Sequence, residues 1–162
     1  MELVHWGAVV CATADLLRLL RGSPDRSDMS VYLCVMNPST DHDYAGLEIT
    51  SVEFDAFRQY VARHVDGEFP TLMGFHIWDG EWSSQEAMRL SIETQVIAQE
   101  LGRLPVPRSL RRNARAIARD RQAEVPRSMN GYFMDHDGQP LAVALRGLAE
   151  HCIALGLVIR SQ

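Results

Sequence analysis

Two stretches, Phe69-Pro-Thr-Leu-Met73 and Asp79-Gly-Glu-Trp-Ser83, decide how the middle of this 162-residue chain is expected to fold. The first opens a predicted strand that runs to Phe75, with Pro70 near its beginning, where a missing backbone N–H is tolerated. The second is an acidic, aromatic turn that leads into a long helix. The turn has the composition of a functional loop, but no complete catalytic set accompanies it in the sequence, which favours binding over catalysis.

Outward from these stretches, short apolar runs predict further strands and spaced apolar residues predict further helices. Ser83 and Glu86 have the spacing of a capping box, which marks the start of the long helix, and Pro105 ends it. The polar residues 39–46 are predicted to form a loop, and Asp137-Gly138 a turn. Further strands are predicted at 31–36, 47–52, 132–134 and 157–159, and further helices at 54–65 and 141–155.

Few, short strands among helices predict an α+β fold, in which a small mixed or antiparallel sheet packs against two or three helices. The length suits a single domain, which we place at 29–162 with a basic helical excursion at about 105–127. Residues 1–28 contain a helix candidate and are expected to be an N-terminal extension, either not native or loosely attached, with Met29 as the natural start. That helix candidate is too short to span a bilayer, and its arginines follow the apolar run instead of preceding it as in a signal peptide.

The net charge of −5 is unevenly distributed along the chain. Eight arginines against Asp120 and Glu124 give residues 103–127 a charge of +6, so the remainder carries −11. An acidic body with one basic segment suits electrostatic pairing with a basic partner and does not suit nucleic-acid binding by the whole domain. A solvated, arginine-rich helix without a partner explains the segment equally well.

The three cysteines, Cys11, Cys34 and Cys152, are odd in number, far apart and surrounded by apolar residues. These features predict buried free thiols and a reducing, cytoplasmic location.

One group of side chains could bind a metal ion. His76, Asp79 and Glu81 lie in or beside the first acidic turn, and Asp135 lies in the second. Imidazole and carboxylate are suitable ligands for Zn²⁺ or Mn²⁺, so a small metal-dependent hydrolase is one alternative. The chain has no H-E-x-x-H spacing, no glycine-rich phosphate loop and no G-x-S-x-G motif, and we expect no cofactor.

A binding surface is the other interpretation of the two turns. Aromatic side chains among acidic groups provide rigid contact area and charge complementarity. An equally good alternative is that Trp82 packs in the core and only Trp78 is exposed. The predicted partner-binding residues are Trp78, Asp79, Glu81, Trp82, Asp135 and Asp137.

These motifs, taken in order, resemble the immunity protein 70 family, small bacterial proteins associated with polymorphic toxin systems. The resemblance covers about 29–162 and is carried by Tyr32-Leu33-Cys34, Phe54…Phe57-Arg58, the two stretches quoted above, and Phe133-x-Asp135-x-Asp137-Gly138-x-Pro140-Leu141. It implies a cytoplasmic inhibitor that binds a cognate toxin domain stoichiometrically, and it implies no catalytic residues.

The sequence therefore predicts a non-catalytic immunity protein whose partner is a toxin domain, with no nucleic-acid or membrane partner. Two alternatives stay open: the metal-dependent hydrolase, and a structural or regulatory module that self-associates through the apolar stripe of residues 141–155.

Overall fold

The computed structural model describes residues 29–40 and 42–162, and within them four strands form one antiparallel sheet. In chain order the strands are β1 (Ser30–Asn37), β2 (His42–Thr50), β3 (Glu81–Trp82) and β4 (Val158–Ser161). They lie in the order β2-β1-β4-β3. The helices are α1 (Ser51–His64), α2 (Pro70–Met73), α3 (Ser84–Arg103), α4 (Arg111–Asp120), α5 (Met129–Tyr132) and α6 (Leu141–Leu155). The predicted α+β class is confirmed, although the described helices number six instead of two or three.

The two faces of the sheet differ because side chains alternate along a strand. Val31, Leu33 and Val35 of β1 join the apolar core with the helices, whereas Tyr32 and Cys34 point to the other face. Neighbouring strands add to the same core face with Leu47, Ile49, Trp82 and Ile159. The helices α3 and α6 pack against each other and over this face, so the sheet and these two long helices enclose the core.

Local capping signals set the ends of the long helices. Thr50 and Glu53 form a reciprocal capping box at the start of α1, and Ser83 and Glu86 form the predicted one at the start of α3. Gly156 ends α6 with a left-handed φ of 64°, a conformation that glycine adopts without steric cost. The helices predicted from apolar spacing are therefore confirmed.

The predicted loop at 39–46 is wrong, because most of it belongs to β2. The strand begins at His42, which pairs with Asn37, and it continues along the whole of β1. A β-bulge leaves Tyr44 without an opposite residue on β1. Bulges are common at sheet edges, and this one lies in the polar part of the edge strand β2. Pairing with the apolar β1 overrides the local polar composition.

The predicted strand at 69–75 is also wrong. Pro70 occupies the first turn of the short helix α2, where its missing N–H is harmless. The carboxylate of Glu93, on α3, accepts hydrogen bonds from the backbone N–H groups of Thr71 (3.0 Å) and Leu72 (2.9 Å). A side chain from a distant part of the chain thus stabilises a helical turn that the local sequence does not signal.

The segment predicted as a strand at 132–134 is helical at its start. Met129 anchors α5 by burying its side chain fully and by donating its N–H to the carbonyl of Leu104 (2.8 Å). One helical turn then places Tyr132 in the core as well. Only an isolated bridge between Met134 and Pro140 has strand character.

A helix does form in the basic segment. One turn of 3-10 helix (Arg108–Leu110) leads into α4. The turn buries Leu110, and α4 buries Ala114 and Ala118. The helix candidate near the N-terminus, the expected extension at 1–28 and the expected burial of Cys11 lie outside the described residues. Within the described part of the chain, no helix combines the length and apolar character needed to cross a bilayer.

Candidate partner-binding site

The two-residue strand β3 separates the side chains of the acidic, aromatic turn. Glu81 pairs with Arg160 and points away from the core, and Trp82 pairs with Ile159 and points into it. Trp82 is only 2% exposed, stacks on the ring of Phe75 at 3.6 Å between centroids, and donates its indole N–H to the carbonyl of Thr71 (3.1 Å). Of the two tryptophans that flank this acidic turn, only Trp78 is therefore available to a partner.

The loop of residues 74–80 presents Trp78 at the surface. Its side chain is the largest exposed apolar group of the loop, at 54% of its full accessible area. Beside it, the imidazole Nδ1 of His76 lies 3.3 Å from a carboxylate oxygen of Asp79, and both side chains are more than four-fifths exposed. The loop therefore combines one large aromatic surface with a solvated carboxylate.

Side chains from two helices hold the chain that leads to this loop. Glu93 binds the start of α2, as described above. Arg58, on α1, donates to the carbonyl oxygens of Met73 (3.3 Å) and Phe75 (2.7 Å), and its other terminal nitrogen binds Asp55 (2.7 Å). The guanidinium also lies 5.0 Å from the centre of the Phe54 ring. Every backbone group bound in this way limits the motion of the segment before Trp78.

Gly80 closes the loop through a close backbone approach. A Cβ at this position would lie 2.2 Å from the carbonyl oxygen of His76 and 2.7 Å from the Phe75 ring, so a larger residue does not fit. The carbonyl of Gly80 accepts the N–H of Ser161 (3.3 Å), which attaches the loop to β4. The loop is thus fixed at both ends.

The face of the sheet that points away from the α3–α6 core carries an ion pair next to the loop. The carboxylate of Glu81 binds the guanidinium of Arg160 on the neighbouring strand, and both side chains are about two-fifths exposed. The charge of Glu81 is therefore partly neutralised within the protein, and Asp79 is the more available carboxylate.

The second acidic turn is built differently. Asp135 is 4% exposed, and its carboxylate accepts the backbone N–H of Gln139 (2.8 Å). Its carbonyl oxygen accepts a hydrogen bond from Arg121, and burial raises the pKa of its carboxyl group. Asp137 is exposed at the tip, and Gly138 supplies the predicted turn with a φ of 81°. Asp135 therefore organises the turn and is not available to a partner.

The two turns lie at opposite edges of the sheet. The backbone N–H of His136 donates to the carbonyl of Glu48 on the edge strand β2 (2.9 Å), whereas the first turn leads into the other edge strand, β3. Three strand spacings separate these edges, which is roughly 14 Å. The six predicted binding residues consequently do not form one patch: Trp78, Asp79 and Glu81 share one edge, and Asp137 is at the other.

The same separation removes the geometric basis of the metal-site alternative. Asp135 lies across the sheet from His76, Asp79 and Glu81, and Glu81 is engaged by Arg160. Among residues 29–40 and 42–162, no three histidine, cysteine, aspartate or glutamate side chains are grouped so that they could hold a metal ion.

The self-association alternative also loses its surface. In the stripe along α6, Leu141, Leu145, Leu148 and Cys152 are buried within the chain, and only Leu155 is exposed. The described cysteines, Cys34 and Cys152, are free and buried, as predicted.

Two residues that support the Trp78 loop, Arg58 and Glu93, were not predicted from the sequence to have this role. For Glu93 a signal was available, because it stands between Leu90 and Ile97 on the apolar face of α3. A carboxylate at a core-facing position indicates a buried hydrogen-bonding partner.

A family model described as Immunity protein 70 matches residues 42–160, which include both acidic turns and most of the chain. No curated protein and no solved structure matches the chain significantly.

Proposed function

Because the chain belongs to the immunity protein 70 family, we propose that it binds a cognate bacterial toxin domain in the cytoplasm and neutralises it without catalysing a reaction itself. The family name supports an immunity role and a protein partner in general terms. We propose in addition that the partner is the toxin domain itself and that inhibition is stoichiometric.

The observation that carries the proposed site is the exposed Trp78 on a fixed backbone. Tryptophan is enriched among the few interface residues that supply most of the binding energy. Association costs entropy whenever a mobile loop becomes ordered, and a loop held by Arg58, Glu93 and Trp82 has lost much of that entropy already. Trp78 is therefore suited to serve as a rigid anchor in a pocket of the toxin.

Asp79 and Glu81 give this anchor an acidic border. Rim charges contribute more to association rate and partner choice than to affinity. The border matches a basic surface on the toxin domain next to the pocket that receives Trp78. Trp82 supports the anchor from the core, and Asp135 stabilises the other turn, so both act on folding and neither contacts the partner.

Growth of a host cell tests the proposed function. The full chain is co-expressed with the toxin domain encoded beside its gene, under separate inducers, and cell survival and co-purification are measured. We expect survival together with a stable complex. Cell death with no complex contradicts the proposal, provided that the soluble amount of the full chain equals that in cells without toxin.

Single substitutions test the proposed site. Replacing a hot-spot tryptophan costs at least about 2 kcal/mol, so Trp78→Ala should weaken toxin binding roughly 30-fold or more. Tyr44→Ala is the matched control, because Tyr44 is an aromatic residue of similar exposure (51%) on the opposite edge strand. Asp79→Arg should slow association at low salt. Equal losses for Trp78→Ala and Tyr44→Ala contradict this placement of the site.

A further inference from the structure

The exposed face of α4 carries a row of arginines, which we call the arginine stripe: Arg111, Arg112, Arg115 and Arg119. At 100° per residue these four side chains lie within an arc of about 100° on one side of the helix. None of them makes an ion pair within residues 29–40 and 42–162, whereas four of the other described arginines, at 58, 103, 146 and 160, do.

The arginine stripe is electrostatically unfavourable for the helix that bears it. Like charges four residues apart repel, and Arg115 has such a neighbour on either side, at 111 and 119. The first turn of α4 contains Arg111 and Arg112 and no acidic residue, although the positive end of the helix dipole is there, and Asp120 stands at the negative end. Local conflicts of this kind, when no compensating contact is found among the described residues, are typical of functional surfaces.

We propose that the arginine stripe is a second docking surface of this protein and that it binds an acidic surface of the protein partner. The identity of that partner rests on the proposed function, whereas its acidic character is inferred from the arginine stripe itself. Guanidinium groups form bidentate hydrogen bonds with carboxylates. A cluster of aspartate and glutamate side chains on the partner would therefore neutralise the repulsion within α4 when the partner docks.

A protein surface fits the arginine stripe better than a nucleic acid does. The ten-residue helix is about 15 Å long, whereas a DNA duplex carries a negative charge about every 1.7 Å along its axis and extends well beyond that length. Beyond the stripe its phosphates would meet a chain whose charge outside residues 103–127 is −11. An acidic patch limited to one partner face avoids this repulsion.

The chemistry is tested without the toxin. Binding of the full chain to fluorescently labelled poly-L-glutamate is measured by anisotropy at low and at physiological salt, beside a DNA duplex of equal total charge. The test variant is Arg115→Gln with Arg119→Gln. The matched control is Arg63→Gln with Arg89→Gln, which removes the same charge from exposed arginines outside the stripe.

We expect the test variant to bind poly-L-glutamate about tenfold more weakly than the control variant, with a smaller salt dependence. Equal affinities of the two variants, or tighter binding to DNA than to poly-L-glutamate at the same salt, overturn the proposal. Thermal unfolding accompanies each assay, and the midpoint of the test variant should equal or exceed that of the wild type. A lower midpoint would make the stripe structural and would also overturn the proposal.

A second experiment tests the arginine stripe in the complex with the toxin domain. If the complex forms, the test variant should associate about tenfold more slowly than the control at low salt. Equal association rates overturn the arginine stripe as a docking surface while the proposed function stands. If no complex forms with the wild type, the proposed function fails, and the poly-L-glutamate result still decides the chemistry of the stripe.

Discussion

Replacing Glu93 by alanine tests whether one buried carboxylate holds the Trp78 loop in place. The substitution removes the only side chain that accepts hydrogen bonds from the N–H groups of Thr71 and Leu72 in the described structure. Leu72 is fully buried, so solvent cannot replace the lost bond without rearrangement. The short helix α2 is then expected to loosen, and with it the chain that leads to Trp78.

The magnitude follows from the two donors. Leaving a buried backbone donor unsatisfied costs about 1–3 kcal/mol, so the pair costs at most about 6 kcal/mol, and less because the Thr71 bond is only part-buried. Alanine is a better helix former than glutamate by a few tenths of a kcal/mol, which offsets a small part. We therefore expect Glu93→Ala to lower the free energy of unfolding by about 2–5 kcal/mol. Glu93→Gln keeps one acceptor oxygen and should cost roughly half as much.

Urea denaturation followed by far-UV circular dichroism measures this effect. Gln95→Ala is the control, because Gln95 is exposed on the same helix and should change stability by less than about 0.5 kcal/mol. A loss below about 0.5 kcal/mol for Glu93→Ala, with an unchanged denaturant slope, would refute the argument that this carboxylate organises α2.

Three other variants test separate parts of the structure. Gly80→Ala introduces a Cβ beside the carbonyl of His76 and should cost about 1–3 kcal/mol in urea denaturation, whereas Gly102→Ala, with open space around it, should not destabilise. Burial raises the pKa of Cys152 from 9.0 to about 11, so between these pH values the native thiol keeps its proton while the thiol of the unfolded chain ionises. The free energy of unfolding should therefore fall as the pH rises from about 9 to about 11, and Cys152→Ser should flatten that decline. Arg115→Glu converts two repulsive pairs in α4 into attractive ones and should raise the free energy of unfolding by about 1 kcal/mol; a loss of stability would contradict the repulsion.

The parts of the fold that depend on neighbouring residues were predictable from the sequence. The capping box at Ser83 and Glu86 places the start of α3 correctly, since both of its hydrogen bonds join residues three positions apart. The apolar spacing along α1, α3 and α6 likewise predicts helices whose buried residues recur at that spacing. The α+β class follows from these helices and from the strands at both ends of the described chain.

The parts that depend on distant contacts were not predictable in this way. The apolar run that includes Thr71 and Leu72 indicates a strand, but a helix forms there. The N–H of Thr71 donates to Glu93, 22 residues away, and its carbonyl accepts from Trp82, 11 residues away. The strand β3 has only two residues, too few for an alternating pattern to be recognised, so the opposite directions of Glu81 and Trp82 were not apparent.

The sequence indicated which residues belong to the two acidic turns, but it did not indicate which of them are exposed or that the turns lie at opposite edges of the sheet. The exposure of Trp78 and Asp79 agrees with a binding loop, and one of the two alternatives left open, a buried Trp82, describes the structure. The second turn contacts the edge strand β2 through the hydrogen bond from His136 to Glu48, which joins residues far apart in the sequence, so neither this contact nor the burial of Asp135 was predictable. Charge composition indicated the basic segment that contains the arginine stripe. Only the structure shows that the side chains of the stripe have no ion-pair partner in the described part of the chain.

Titration of toxin activity tests directly whether this protein inhibits a toxin by binding it. The purified toxin domain encoded beside the gene is held at a fixed concentration, and the purified full chain is added while the activity of the toxin is measured. We expect the activity to fall linearly and to reach zero at a fixed molar ratio, as for a tight stoichiometric complex. Undiminished activity at a large excess of the full chain would contradict the account, and so would loss of activity at strongly substoichiometric amounts, because that would indicate catalysis.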